Sequence, residues 1–81
     1  MDVIHEIKNY ILSELAYDYP KDGLTPEVDL LSGGIIDSMG VLELSSFIEK
    51  KFAVSISPED MIPENFRSLN TLKAFVERKQ K

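Results

Sequence analysis

Ser38 is the residue of this 81-residue sequence whose type and setting offer the clearest chemistry. Its hydroxyl is a candidate nucleophile, and Asp37 precedes it in a stretch that also contains Gly33 and Gly34. Asp is a favoured N-cap, so the pair predicts a helix that starts at Ser38. Backbone N–H groups and the helix dipole favour negative charge at such an end. A phosphate attached covalently to Ser38 would therefore be stabilised, although an Asp-Ser pair alone is also an ordinary helix start.

The composition excludes several other kinds of site. The sequence has no Cys and one His, which excludes thiolate nucleophiles and metal sites built from Cys or several His. A hydrolase that used Ser38 would need a base, and the helical period places His5 on the solvent side of its helix. Nine Lys and Arg against 14 Asp and Glu give a net charge of -5. This balance disfavours nucleic acid and favours partners with basic patches.

Length and hydrophobicity predict a single small domain over residues 1–81. The sequence is 43% hydrophobic and 28% charged, which is typical of a globular chain and too interrupted by charge for membrane insertion. Asp2 stands where a secretory signal needs basic residues, and no long apolar run follows it. We therefore expect a cytoplasmic protein.

Three long helices are predicted from the spacing of apolar residues. The first spans residues 3–17, and a long loop with several Gly and Pro residues follows it to Asp37. The second helix starts at Ser38, with Val41, Leu44, Ile48 and Phe52 on its apolar face, Leu42 and Phe47 flanking that face, and Met39 and Glu43 on the opposite side. The last helix is capped by Ser68 or Asn70 and ends in basic residues, namely Arg78, Lys79 and Lys81.

A short third helix is predicted between the second and the last. Ser57 is a possible N-cap, Pro58 suits the first helical position, and Pro63 follows too soon for more than a turn or two. Residues 54–57 alternate for too few positions to form a sheet and are predicted to be an extended connector. The predicted fold is all-α: a four-helix bundle of three main helices and one short helix.

A longer stretch around Ser38 carries a family resemblance. Residues 30–44, LLSGGIIDSMGVLEL, place an apolar loop, glycine and Asp-Ser-Met before an acidic helix. This pattern resembles the phosphopantetheine attachment region of acyl carrier proteins. The resemblance continues through the second helix, the connector, Pro63-Glu64-Asn65-Phe66 and Ser68-Leu69, so that it covers essentially the whole chain.

The resemblance implies a carrier with no catalytic activity of its own. Ser38 would receive 4'-phosphopantetheine from coenzyme A through a phosphopantetheinyl transferase, and Asp37 would help to present Ser38. The arm would hold acyl or aminoacyl groups as thioesters. The implied partners are that transferase, a loading ligase or transferase, and synthase-type enzymes. The chain itself is expected to be a monomer. The implied docking residues are Met39, Glu43, Glu49, Ile56, Glu59 and Met61.

Two departures from the carriers of fatty acid synthesis indicate a dedicated pathway. Gly40 stands where those carriers usually have an acid, and Lys50 and Lys51 make the second helix less negative. Residues 33–39 and 61–66 look more like discrete carriers, including those loaded by stand-alone adenylating ligases. Fatty acid, polyketide and nonribosomal peptide pathways all stay open, since the cargo is not written in these residues.

A different class of function also stays open at this point. The chain could be an acidic helical interaction module in which Ser38 is unmodified or simply phosphorylated. Intact mass after incubation with coenzyme A and a transferase separates this alternative from a carrier.

Overall fold

The computed structural model describes residues 2–80, and these residues form an all-α bundle. Within them lie four α-helices: α1 (Val3–Tyr10), α2 (Ser38–Phe52), α3 (Pro63–Phe66) and α4 (Leu69–Lys79). No strand is found among the described residues. The predicted class, three main helices with one short helix, is confirmed. Lys81, predicted to belong to the basic end of the last helix, lies outside the described residues.

Helix α1 is shorter than predicted, because its continuation changes type. Asp2 caps its start by accepting a hydrogen bond from the backbone of His5 at 3.2 Å. The α-helix ends at Tyr10, and a π-helical turn (Ile11–Leu15) continues the chain. The Ala16 N–H bonds the carbonyl of Ile11, five residues back, at 2.7 Å. The prediction that the helix reaches Tyr17 is wrong, since this wider turn closes at Ala16.

The long loop before α2 is held against the core by its apolar residues. It contains a 3-10 turn (Lys21–Gly23), and four of its apolar side chains are buried: Leu24, Leu30, Ile35 and Ile36. Its backbone is also tied to the start of α4. The N–H of Leu30 bonds the carbonyl of Arg67 at 2.6 Å, and the N–H of Asn70 bonds the carbonyl of Pro26 at 3.1 Å. The loop therefore delivers Asp37 to a fixed place.

Helix α2 starts and packs as the sequence predicted. Asp37 is its N-cap, and its inward face buries Leu44, Ile48 and Phe52. The helix ends at Phe52, and the next residue, Ala53, has a left-handed φ of 55° that turns the chain out of the helix. Residues 54–57 are an extended connector, also as predicted.

The short helix predicted after Ser57 is present as one 3-10 turn, and a further short helix, α3, which the sequence did not predict, begins at Pro63. Pro58–Asp60 is a single 3-10 turn, closed by a capping box between Ser57 and Asp60. Pro63 then occupies the first position of α3. Proline is well tolerated there because the N–H that it lacks has no helical partner at that position.

Helix α4 closes the bundle. Ser68 is its N-cap, as predicted, and accepts a hydrogen bond from the backbone of Thr71 at 3.2 Å. Its inward face buries Leu69, Leu72, Phe75 and Val76. Phe75 packs on Phe66 of α3 with ring centroids 5.8 Å apart. Within residues 2–80, no helix combines the length and apolar character that crossing a membrane requires.

Candidate functional site

Ser38 is exposed at the first position of α2. The preceding residue, Asp37, turns its carboxylate back to the helix, and Oδ1 accepts a hydrogen bond of 2.8 Å from the N–H of Gly40. The carbonyl of Asp37 accepts a second bond from Val41 at 2.9 Å. The backbone on both sides of Ser38 is therefore fixed, while its hydroxyl remains accessible.

An apolar groove opens beside Ser38, between the first turns of α2 and the segment that leads into α3. Its volume is about 650 Å³. Ser38 and Asp37 lie at its edge, and its lining is otherwise mainly apolar, including Ile36, Val41, Leu42, Met61, Ile62 and Phe66. A flexible group attached to Ser38 could contact the apolar lining of this groove.

Three large apolar side chains are exposed near Ser38, and we call them the apolar rim: Leu42 and Ile62, which line the groove, and Met39, which lines a second cavity. Their exposed fractions are 64%, 51% and 43%. Met39 was identified from the sequence, whereas Leu42 was placed beside the core and Ile62 was not identified. Leu42 lies one helical turn after Ser38, and this i, i+4 spacing was the signal available for it.

The second cavity, which shares Asp37 with the groove, contains acidic residues. Glu14 and Glu43 line it together with Asp37 and Met39. The pKa of Tyr10 is raised above its ordinary value, first by partial burial and then by the negative charges of Glu43 and Glu14. The surface near Ser38 thus has a mainly apolar groove and, next to it, a cavity with acidic residues.

The predicted docking residues differ in exposure and in what they contact. Met39 and Glu43 are exposed on the same side of α2, and Glu59 is exposed on the 3-10 turn. Met61 lines the groove instead. The Glu49 carboxylate accepts a hydrogen bond from the N–H of half-buried Ile56 at 2.8 Å, so this pair joins α2 to the connector.

A polar network that the sequence does not predict lies next to the groove residue Met61. The Asp60 carboxylate forms an ion pair with Lys79 at the end of α4 and accepts hydrogen bonds from the N–H and hydroxyl of Ser57, each at 3.0 Å. The Lys79 ammonium, followed by the Ser57 N–H, lowers the pKa of Asp60 below its usual range. Asn65 adds a bond to the Asp60 carbonyl at 2.7 Å. Met61, which lines the groove, follows Asp60 directly.

His5 forms its side-chain hydrogen bond within its own helix. Its ring Nε2 lies 3.0 Å from the side-chain nitrogen of Asn9, on the same helix, and its backbone N–H donates to Asp2. The solvent-facing position that the sequence predicted for His5 is confirmed.

The site fits a phosphate-linked arm. Ser38 offers an accessible oxygen at the N-terminus of a helix of 15 residues, where negative charge is stabilised. The apolar groove begins at the same residue. An exposed serine hydroxyl, an adjacent fixed backbone and an apolar groove are what a covalently attached, flexible phosphodiester requires.

Comparisons with known proteins agree with this geometry. The family described as "Phosphopantetheine attachment site" matches residues 5–77. A protein of Serratia sp. (strain ATCC 39006), named "Probable acyl carrier protein PigG", is 31% identical over 70 residues, which cover 86% of this chain and 79% of that protein. The family match includes Ser38 and every residue of the apolar rim.

Proposed function

Because this chain belongs to the acyl carrier protein family, whose prosthetic group is 4'-phosphopantetheine, we propose that the group is attached to Ser38. The observation that carries this proposal is the exposed Ser38 hydroxyl at the start of α2, beside the apolar groove. The chain is a carrier, and its partners supply the catalysis. The prosthetic group, once attached, supplies a thiol on which an acyl or aminoacyl group is held as a thioester.

Attachment needs only one nucleophile from this chain. The Ser38 oxygen forms a bond to the phosphorus of coenzyme A that bears the pantetheine, and the bond from that phosphorus to the pyrophosphate bridging oxygen breaks. Adenosine 3',5'-bisphosphate leaves, and the hydroxyl proton passes to a base of the transferase. The fixed backbone of Asp37 supports this step, since it limits the orientations of the Ser38 hydroxyl and an oriented nucleophile reacts faster than a mobile one.

The partner surface that we propose surrounds Ser38. The apolar rim supplies a contact of three exposed side chains, and Glu43 adds negative charge beside Met39. A partner with a small apolar socket and a basic patch would complement this surface. The transferase, a loading enzyme and the enzymes that process the cargo would each use it in turn.

A dedicated pathway is the finer part of the proposal. Gly40, Lys50 and Lys51 leave α2 less acidic than the helix of a fatty acid synthesis carrier. We propose a discrete carrier that is loaded by its own acyl- or aminoacyl-activating enzyme. Polyketide, nonribosomal peptide and fatty acid types of chemistry can each deliver such a cargo.

Incubation of the purified chain with coenzyme A and a broad-specificity phosphopantetheinyl transferase tests the assignment. We expect the intact mass to rise by one phosphopantetheinyl group and the product to react with one equivalent of a thiol reagent. The unmodified chain has no Cys and should not react. No mass gain with a transferase that modifies a control carrier would favour the alternative of an interaction module.

A further inference from the structure

Gly40 is a buried glycine in the first turn of α2, where helix propensity argues against it. Glycine in a helix costs roughly 1 kcal/mol relative to alanine. Among the described glycines only Gly34 has a positive φ, so Gly40 is not required by its backbone conformation. The reason for a glycine here is therefore the limited space for a side chain at this position.

A side chain at position 40 would collide with the two residues that precede Ser38. An ideal Cβ atom built on Gly40 lies 3.2 Å from the Cβ of Ile36 and 3.4 Å from Oδ1 of Asp37. Ile36 is 4% exposed and packs in the core, so it has little freedom to move away. The contact is with its Cβ, an atom fixed to the backbone. A Cβ at position 40 would thus require Ile36, which is joined to Asp37, to move by a few tenths of an ångström.

This displacement would act on the group that fixes Ser38. The N–H of Gly40 donates to the Asp37 carboxylate at 2.8 Å. The N-cap hydrogen bond therefore forms at the same residue that lacks a side chain. Asp37 is joined covalently to Ser38. A shift of the loop against the helix therefore changes the direction in which the Ser38 oxygen points, while the apolar rim stays on the outer surface.

We propose that Gly40 is a positioning residue for transfer onto Ser38. It lets residues 36 and 37 close against the first turn of α2, and through the Asp37 cap it sets the orientation of the Ser38 hydroxyl. This inference rests on the proposed attachment to Ser38. It adds that the absence of a side chain at position 40 serves the rate of attachment.

The test compares Gly40→Ala with the wild-type chain in the transfer of phosphopantetheine, measured as kcat and KM of one transferase for the carrier. We expect kcat to fall at least about fivefold, in line with the roughly hundredfold loss associated with a misplacement of 1 Å. KM should change less than twofold, because the exposed docking residues are unaltered. Ser46→Ala is the matched control, since Ser46 is exposed on α2, away from Ile36 and Asp37, and also gains helix propensity.

The readouts separate positioning from mere folding. Circular dichroism and thermal unfolding should show Gly40→Ala folded at the assay temperature, while exchange of the residue-40 amide hydrogen should quicken as the Asp37 bond weakens. If Gly40→Ala keeps the wild-type kcat, the inference is wrong. If it fails to fold, Asp37→Ala replaces it: a lowered kcat supports positioning through the cap, and an unchanged kcat overturns it. Failure of the wild-type chain itself to gain mass would refute the proposed function instead.

Discussion

The carboxylate of Glu49 accepts a hydrogen bond of 2.8 Å from the backbone nitrogen of Ile56, across the turn that follows α2. This bond gives Glu49 a structural role, because it satisfies the N–H of a half-buried residue in the connector. Glu43 lies on the same helix but is exposed beside Met39 and the acidic cavity. The two acids should therefore respond differently to substitution.

Glu43→Lys should slow phosphopantetheine transfer without loss of stability. Reversal of an exposed charge beside Ser38 opposes a basic partner during encounter, and the effect should shrink as salt rises, since charges are screened over about 10 Å at 0.1 M. Transfer rates at low and high salt measure this. Glu77→Lys on α4 is the control, because it makes the same change in net charge at another exposed position. Equal rates for Glu43→Lys and wild type at low salt would show that this surface does not dock the transferase.

Glu49→Ala should lower stability more than it lowers the transfer rate. The substitution leaves the Ile56 N–H without its partner, at a cost of about 1–3 kcal/mol if water does not replace it. Urea unfolding followed by circular dichroism gives the free energy of unfolding. A variant as stable as wild type but slow in transfer would show that Glu49 contacts the partner and has no structural role.

Phe52→Ala should severely destabilise the bundle. Phe52 is buried at the end of α2 and meets Phe47 edge to face with ring centroids 6.5 Å apart; Phe47 in turn stacks on Tyr10 at 4.2 Å. Truncation of a buried Phe costs about 3–5 kcal/mol. Met39→Ala is the control, since Met39 is exposed and its loss should weaken partner binding with little change in melting temperature. A Phe52→Ala variant that melts like wild type would contradict this packing.

Acid should weaken the polar network around Asp60. Its pKa is lowered in the folded chain, chiefly by Lys79, so the unfolded chain binds the proton first as pH falls. The stabilisation from Asp60 is thus complete well above the ordinary Asp pKa of about 3.9 and is lost as pH falls through the lower folded value. The free energy of unfolding, measured from pH 6 to pH 2, should fall less steeply in Asp60→Asn than in wild type. If the free energy of unfolding falls equally steeply with pH in both proteins, the ion pair of Asp60 with Lys79 does not contribute to stability.

The elements with strong local signals were predictable from the sequence. Asp37 marks the start of α2 because a carboxylate there satisfies a free N–H of the first turn, and Ser68 does the same for α4. The apolar period of α1 located its buried face. Its end was not predictable, because a π-helical turn keeps the same apolar residues and differs only in which carbonyl the N–H groups bond.

The groove could be predicted only in part. Ser38 and Asp37 follow from a local pattern, and Met39 follows from its place opposite the apolar face of α2. Ile62 and Met61 reach the groove through contacts between residues far apart in sequence, among them the ion pair of Asp60 with Lys79 on α4. Pro63 pointed to a helix boundary, but proline is compatible with both an end and a beginning.

The central claim is that Ser38 alone receives the prosthetic group, and the most direct test is intact mass of wild type and Ser38→Ala after treatment with coenzyme A and a transferase. Wild type should gain the mass of one phosphopantetheinyl group, located on Ser38 by fragmentation. Ser38→Ala should gain none while keeping a wild-type circular dichroism spectrum, because the N-cap is Asp37 and not Ser38. The same mass gain in Ser38→Ala would contradict the account.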